Sequence, residues 1–352
     1  MGASLSHSTA QRTRLVGIGL IAMIALSACT NASEPQATSA PSETPAPAPA
    51  FPVTLVHSQG ETTIEALPER IASLGAQHTD ALLALGAVPV VTTYPLTGSI
   101  YEETLTTLGA AAPKVLTQNE EVDGTLSALG EFAPDVILAP RQISPLNGNI
   151  VLSEGYLRLT EVAPTVYPTA AALDSEGYAS ATSWREALLQ VGAVLDTSAD
   201  AAAQLESFDA RVAALAAEHP EFSGKTIAVT RPGSGGPVLV TATSPVALIL
   251  EALGFTVFDP TTIASDVSGD VAFLEPDQAA LLDVDVLIVS DDEGGQTDTI
   301  RGYGDSPTYA DGTVVHFGQM DQATQSALAA PTALTAPASI EAFVSQLAAA
   351  LK

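Results

Sequence analysis

Two arginines are placed where they could do chemistry. Arg141 directly follows the apolar run VILAP, and Arg231 directly follows TIAVT. The chain holds 12 Lys and Arg against 40 Asp and Glu, so a guanidinium at the end of an apolar run is informative. A guanidinium fork matches a pair of anionic oxygens; the plainer alternative is a surface arginine paired with one of the many acids. Gln142 adjoins the first of these arginines, and Arg301 with Tyr303 lies further along. Tyr94, Tyr178, Trp184 and Tyr303 could supply flat walls to a cleft or could pack in a core. Gln77 and His78 stand at a helix start, where His78 could touch a metal or haem or could serve as a polar or capping residue.

The remaining chemistry is sparse. There are five histidines, His7, His57, His78, His219 and His316, too scattered to suggest a dedicated zinc or manganese site. The run Asp291-Asp292-Glu293 lacks the spaced ligands of a calcium loop and reads as a solvated loop, or as a feature suited to a cationic ligand. Gly233-Ser234-Gly235-Gly236 is not a nucleophile elbow, and neither a phosphate loop nor a dinucleotide fingerprint is present. An extracellular hydrolase and a purely adhesive protein are therefore minor alternatives. A net charge of -28 argues against nucleic acid, whose phosphates need Lys and Arg.

These residues need elements to position them. PVTLVHSQGETTIEAL reads as two strands around Ser58-Gln59-Gly60, and IASLG as a short apolar strand. Thr79 is expected to cap the helix TDALLALGA, which closes at Gly86 before the strand VPVVTTYP. TLSALGEFAPDVILAP reads as helix, proline stop and strand, and YLRLTEVAP as a helix leading to the strand TVYP. SWREALLQVGAVLD is amphipathic. A longer helix follows, with Ser198 or Asp200 as its expected cap and Pro220 as its stop. TIAVT, PVLVTATS, TVFDP, VDVLIV and GTVVHFG read as later strands, and SIEAFVSQLAAALK as a closing helix. Alternating strands and helices predict α/β architecture.

The N-terminus is organised differently. Arg12 and Arg14 precede LVGIGLIAMIALSA, in the order of a secretory signal, and the run is shorter than a membrane-spanning helix. The one cysteine, Cys29, excludes an internal disulfide. LSAC resembles the lipobox of bacterial lipoproteins, which implies a lipidated Cys29. The Pro-, Ala-, Ser- and Thr-rich residues that follow lack the apolar surface to offset ordering entropy and read as a tether.

The body resembles the substrate-binding proteins of iron–siderophore and vitamin B12 ABC importers. RIASLGAQHTDALLALGAVPVVT with Pro68-x-Arg70, FAPDVILA, LTEVAPTVYP, Trp184-Arg185 before LLQVGAVLD, and LLDVDVLIV carry the likeness in order. It implies two Rossmann-like α/β lobes joined by a single long helix, with the ligand cleft between them. The expected parts are a signal peptide at 1–28, lipidated cysteine and tether at 29–51, an N-terminal lobe at 52–197, an interlobe helix at 198–220 and a C-terminal lobe at 221–352. Ligands of open α/β lobes bind outside the carboxyl ends of strands, which nominates Gln77, His78, Tyr94, Arg141, Gln142, Arg231, Arg301 and Tyr303, with Trp184 as a further aromatic. The resemblance implies a ferric siderophore as ligand, whose hydroxamate, catecholate or carboxylate oxygens would suit the arginines; haem and cobalamin are the alternatives. No cofactor of the protein's own is implied, iron arriving inside the siderophore. The implied partners are a permease with a cytoplasmic ATPase and, through the lipid, the outer face of the cell membrane; a monomer is expected. Docking on the permease would use one acid per lobe. Asp277 takes that position in the C-terminal lobe. Ser127 stands at the matching N-terminal position, leaving Glu131 or Asp123 to substitute.

Overall fold

A computed structural model describes residues 51–116, 122–140, 157–173, 180, 182–231, 238–264, 266–289, 303–316, 324, 327–328 and 330–352. The chain divides into two units, Met1–Ala48 and Pro49–Lys352, and all the described residues belong to the second. Cys29, Arg141, Gln142, Tyr178, the acidic run 291–293 and Arg301 lie outside the described residues, as do the side chains of Asp123, Arg231 and Tyr303.

The body has two α/β lobes. The first opens with an antiparallel hairpin, β1 (Val53–His57) and β2 (Gly60–Ile64). Its sheet uses β3 (Ile71–Ser73), β4 (Val91–Thr92), β5 (Lys114–Val115), β6 (Val136–Leu138) and β7 (Thr165–Val166) in the order β5-β4-β3-β6-β7, every pair parallel. Helices α1 (Ala76–Ala84), α2 (Ser99–Leu108) and α3 (Val122–Gly130) connect the strands. The strands β3, β4, β6 and β7 are buried throughout, as expected for parallel strands covered on both faces.

The second lobe is mixed. Its strands are β8 (Thr226–Arg231), β9 (Val238–Val240), β10 (Thr256–Val257), β11 (Asp266–Ser268), β12 (Val271–Phe273), β13 (Val286–Val289) and β14 (Thr313–His316). β8 pairs in parallel with β13 and β10, and β13 with β14. The remaining pairs, β8–β9, β9–β12 and β12–β11, are antiparallel. The helices described in this lobe include α6 (Pro245–Ala252), α7 (Pro276–Ala279), α8 (Pro307–Asp311) and the terminal α9 (Thr335–Ala350).

Between the lobes run α4 (Ser183–Val194) and α5 (Ser198–Glu218). Buried α5 positions recur at helical spacing. Ala201 belongs to the N-terminal core, Phe208, Val212 and Leu215 to the C-terminal core, and Leu205 between them packs against both. Gln204 Nε2 donates to Ala84 O in the N-terminal lobe at 2.9 Å, and Arg211 pairs with Glu341 of α9. Gly192 lets α4 and α5 approach, since a Cβ there would lie 2.7 Å from the Ala201 Cβ. One helix thus carries both cores.

Two expected caps are corrected. α1 starts at Ala76, three residues before Thr79, with Gly75 as its cap. Thr79 is internal, and its hydroxyl bonds Ser73 Oγ at 2.8 Å and Thr92 Oγ1 at 3.1 Å, joining α1 to two strands. α5 is capped at Thr197 without a side-chain bond, and Ser198 and Asp200 lie in its first turn. Of the expected helix YLRLTEVAP, the described residues show Leu157 and Arg158 as α-helical, running into a 3-10 segment over Leu159–Glu161.

Candidate functional site: the carboxyl ends of the strands

In the N-terminal sheet the chain leaves β3 toward β4 on one side and returns to β6 on the other. The loops after β3 and β6 therefore diverge, which is the switch point where open α/β sheets form a crevice. These two loops touch. A Cβ on Gly75, after β3, would lie 2.8 Å from the Pro140 Cβ, after β6. Arg141 is the next residue in the chain.

Gln77 stands at this junction, half-buried, and its Nε2 donates to Ser183 Oγ at 2.6 Å, tying the start of α1 to the start of α4. Tyr94 follows β4. Its N–H donates to Thr92 Oγ1 at 3.0 Å, and its half-buried ring meets Tyr101 edge-on at 6.1 Å. The Tyr101 hydroxyl lies 3.4 Å from that of Tyr94 and 3.1 Å from Asp80 Oδ2, to which it donates.

His78 faces inward. It is only 3% exposed, and its Nε2 lies 3.0 Å from Gln190 Oε1. Gln190 spends its amide hydrogens on Tyr167 O at 2.8 Å, so its oxygen accepts and His78 carries its proton on Nε2. Burial holds the imidazole pKa below its ordinary value, outweighing the Gln190 bond, and keeps it neutral. Nδ1 is buried with no hydrogen-bond partner. This places His78 in the packing between α1 and α4. Trp184 is 4% exposed and meets Phe208 of α5 edge-on at 5.4 Å, with the Arg185 guanidinium 4.8 Å from its centroid. It belongs to the C-terminal core rather than to a strand end.

In the C-terminal lobe Arg231 is the last residue of β8 and pairs with Val238. β13 runs beside β8 in parallel and ends at Val289, just before the acidic run. Thr230, the residue before Arg231 in β8, is fully buried and its hydroxyl donates to Val238 O at 3.0 Å. Tyr303 opens a 3-10 turn, Tyr303–Asp305, ahead of α8.

Of the acids considered for docking, Asp277 and Glu131 are exposed. Asp277 sits in the first turn of α7, whose capping box is formed by Glu275 and Gln278, and its carboxylate accepts from Gln278 N at 3.1 Å. Glu131 follows α3, one turn beyond the exposed Ser127. Among the described residues no three His, Cys, Asp or Glu side chains converge as a metal site would require. Sequence reasoning passed over Asp80 and its partners Tyr101 and Thr332. The available signal was an acid set among alanines and leucines in TDALLALG.

Two α/β lobes joined by one helix, each presenting strand ends, define a two-lobed binding protein. Residues 71–313 match the family model for periplasmic binding protein, and the chain belongs to that family. It is a family of binding proteins, not enzymes. The chain is 29% identical over 238 residues to the probable siderophore-binding lipoprotein YfiY of Bacillus subtilis (strain 168), an alignment covering 67% of this chain and 65% of the relative. The chain thus spans under two thirds of that relative's length. Among solved structures it resembles a periplasmic solute binding protein from Mycobacterium smegmatis, with a TM-score of 0.65 and 24% identity over 85% of this chain and 99% of the other. It also resembles the iron uptake ABC transporter substrate-binding protein PiaA from Streptococcus pneumoniae, with a TM-score of 0.63 and 22% identity over 85% and 99%. These likenesses establish the fold.

Proposed function

We propose that the protein is a lipoprotein, anchored through Cys29 on the outer face of the cell membrane, that captures a ferric siderophore and delivers it to an ABC permease with a cytoplasmic ATPase. The observation that carries this reading is the contact of Gly75 with Pro140 at the N-terminal switch point, which sets Gln77 and the chain leading to Arg141 beside one another. In the other lobe Arg231 ends the central strand. The printed name of the Bacillus relative supports the ligand class.

The proposed ligand contacts are Gln77, Tyr94, Arg141, Gln142, Arg231, Arg301 and Tyr303. His78 and Trp184 support the site through packing, because burial keeps their side chains from a ligand. Asp277 and Glu131 are the proposed docking acids, one per lobe, and rim charges of this kind chiefly set encounter rate and orientation. The residues after Cys29 form the tether, which ends before Phe51, a residue that packs against the N-terminal core.

Native mass spectrometry of the purified protein with ferric hydroxamate, ferric catecholate and ferric α-hydroxycarboxylate siderophores, haem and cobalamin tests the reading. Binding of at least one ferric siderophore at micromolar concentration or tighter is expected; binding of none refutes the assignment. Arg141→Ala and Arg231→Ala should each weaken binding by about 1.5–3 kcal/mol, the range for a lost bond to a charged group. Cys29→Ala should release the protein into the medium with its binding unchanged, and retention on the membrane would refute the anchor.

A further inference from the structure

The two lobes also meet away from α4 and α5. Leu328 and Ala336 belong to the C-terminal core, yet the residues between them touch the N-terminal lobe. Ala333 is part of the cluster that includes Ala81, Leu82 and Val136. Leu334 packs against the cluster of Leu83, Tyr101 and Leu105. Thr332 donates from its hydroxyl to Asp80 Oδ2 at 2.5 Å. Asp80 lies on α1 and is fully buried, and the same oxygen accepts from the Tyr101 hydroxyl at 3.1 Å. Thr332 is itself fixed by Thr335, the two hydroxyls lying 2.9 Å apart and the Thr332 N–H reaching Thr335 Oγ1 at 3.0 Å.

We propose that Asp80 is the latch of this second joint, and that its ionisation sets how readily residues 332–334 lift away from the N-terminal lobe. The groups that face it are Tyr101 and, behind it, Tyr94 from the N-terminal lobe, with Thr332 and Thr335 from the crossing segment. The influences that shift its ionisation are burial and the two hydroxyl bonds, and no cation is among them. Asp80 Oδ1 is buried without a hydrogen-bond partner. A carboxylate in this setting is stable only at a cost in solvation.

The direction follows from linkage. Burial pushes the Asp80 pKa from 3.8 to about 6 when the segment is seated. Lifting the segment exposes the carboxyl to water and returns it toward the lower value. The seated state therefore binds the proton more tightly, and acid favours it. From pH 5 to pH 7.5 a group with these two values changes the opening equilibrium by about tenfold, toward the lifted state at the higher pH. A joint that loosens in this way frees the lobes to turn about α5. The latch rests on the two-lobe fold and not on the identity of the ligand.

Hydrogen exchange on the full chain without ligand tests it. Peptides covering residues 330–335 should show about tenfold more opening at pH 7.5 than at pH 5, after correction for the intrinsic exchange rate. Asp80→Asn, which keeps the shape and removes the ionisation, should flatten that dependence. Tyr101→Phe, which deletes a donor to the carboxylate, should move the midpoint to higher pH. A wild-type segment whose corrected opening is the same at both pH values overturns the latch without recourse to any variant. So does a pH dependence that survives in Asp80→Asn. Because no siderophore is present, neither result bears on the proposed ligand.

Discussion

The two lobes share one fastening and differ in what they bury. In the N-terminal lobe Asp135 immediately precedes β6, and its carboxylate accepts from the backbone N–H of Glu69 at 2.7 Å and of Arg70 at 3.0 Å, just before β3. In the C-terminal lobe Asp285 immediately precedes β13 and accepts from Thr226 N at 2.8 Å, at the start of β8. The strand registers agree, Ile71 opposite Val136 and Ile227 opposite Val286. An aspartate thus staples the amino ends of the two central parallel strands in each lobe, leaving the carboxyl ends to the loops. The interiors then diverge. The N-terminal lobe buries Ser73, His78, Thr79, Asp80 and Thr92, whereas the main C-terminal cluster gathers Phe208, Phe222, Phe255, Phe343 and Trp184. The C-terminal lobe buries hydroxyls as well, Thr230, Thr241, Ser244 and Thr308 among them. What separates the lobes is that the N-terminal one buries the ionisable His78 and Asp80 while the C-terminal one gathers aromatic rings, and the two should fail in different ways.

The largest effect is expected in the aromatic cluster of the C-terminal lobe. Phe343 of α9 is fully buried among Phe222, Leu347 and the other residues of that cluster. Phe343→Ala should cost about 3–5 kcal/mol, the usual range for a buried phenylalanine. Denaturant unfolding followed by Trp184 fluorescence will measure it, since the one tryptophan lies in the same cluster. A loss below about 1 kcal/mol would mean that the cluster is not the foundation of its lobe.

The N-terminal lobe should answer to a smaller chemical change. Gln190→Leu is close in size but leaves His78 with no acceptor for its Nε2–H and removes the amide bond to the Tyr167 carbonyl. Stranding buried polar groups costs about 1–3 kcal/mol. Equilibrium denaturation is the measurement, and a neutral outcome would break the contrast between the lobes. Gly75→Ala probes the switch point itself. Its backbone is extended, so conformation is not at issue, and the obstacle is the Pro140 ring. Overpacking of about 1–3 kcal/mol is expected, with ligand affinity reduced as the two loops part. Unchanged affinity and stability would show that those loops have room to give.

The sequence made the strands and the long joining helix legible because both have strong patterns. Short apolar runs mark β6, set between Pro134 and Pro140, and β13, set between Asp285 and Asp291, and the spacing Ala201, Leu205, Phe208, Val212, Leu215 marks α5. Two elements left weaker traces. α2 is SIYEETLTTL, rich in threonine and glutamate, with few apolar residues to set a period. The β11–β12 hairpin turns at Gly269, with φ of +57°, and interrupts the alternation of strand and helix that governs the rest. At the site, chain order alone could nominate Gln77 and Tyr94 as residues following strands. It could not show that α1 begins three residues before Thr79, and that shift is what turns His78 and Asp80 inward. Nor could it show Thr332, which lies 252 residues from its partner and is brought to it only by the return of the chain ahead of α9.

The finest distinction between the lobes is the sign of their response to acid. Asp285 is exposed, and the N–H and hydroxyl of Thr226 hold its carboxyl below the ordinary value of 3.8. Its folded form prefers the charge, so its stabilisation is present above 3.8 and fades as the pH falls below it. Solvent screening keeps that contribution under about 1 kcal/mol. Asp80 has the opposite sign. Its folded form prefers the proton, so stability rises as the pH falls from above 6 toward 3.8 and then stays level. Unfolding midpoints taken at intervals from pH 3 to pH 8 will separate the two, because the windows do not overlap. Asp285→Asn should remove a slope below 3.8 and leave the region near 6 untouched, while Asp80→Asn should do the reverse. Loss of both slopes in either variant would show that the lobes respond to protons as one body, joined more tightly than α5 and a single buried carboxylate would make them.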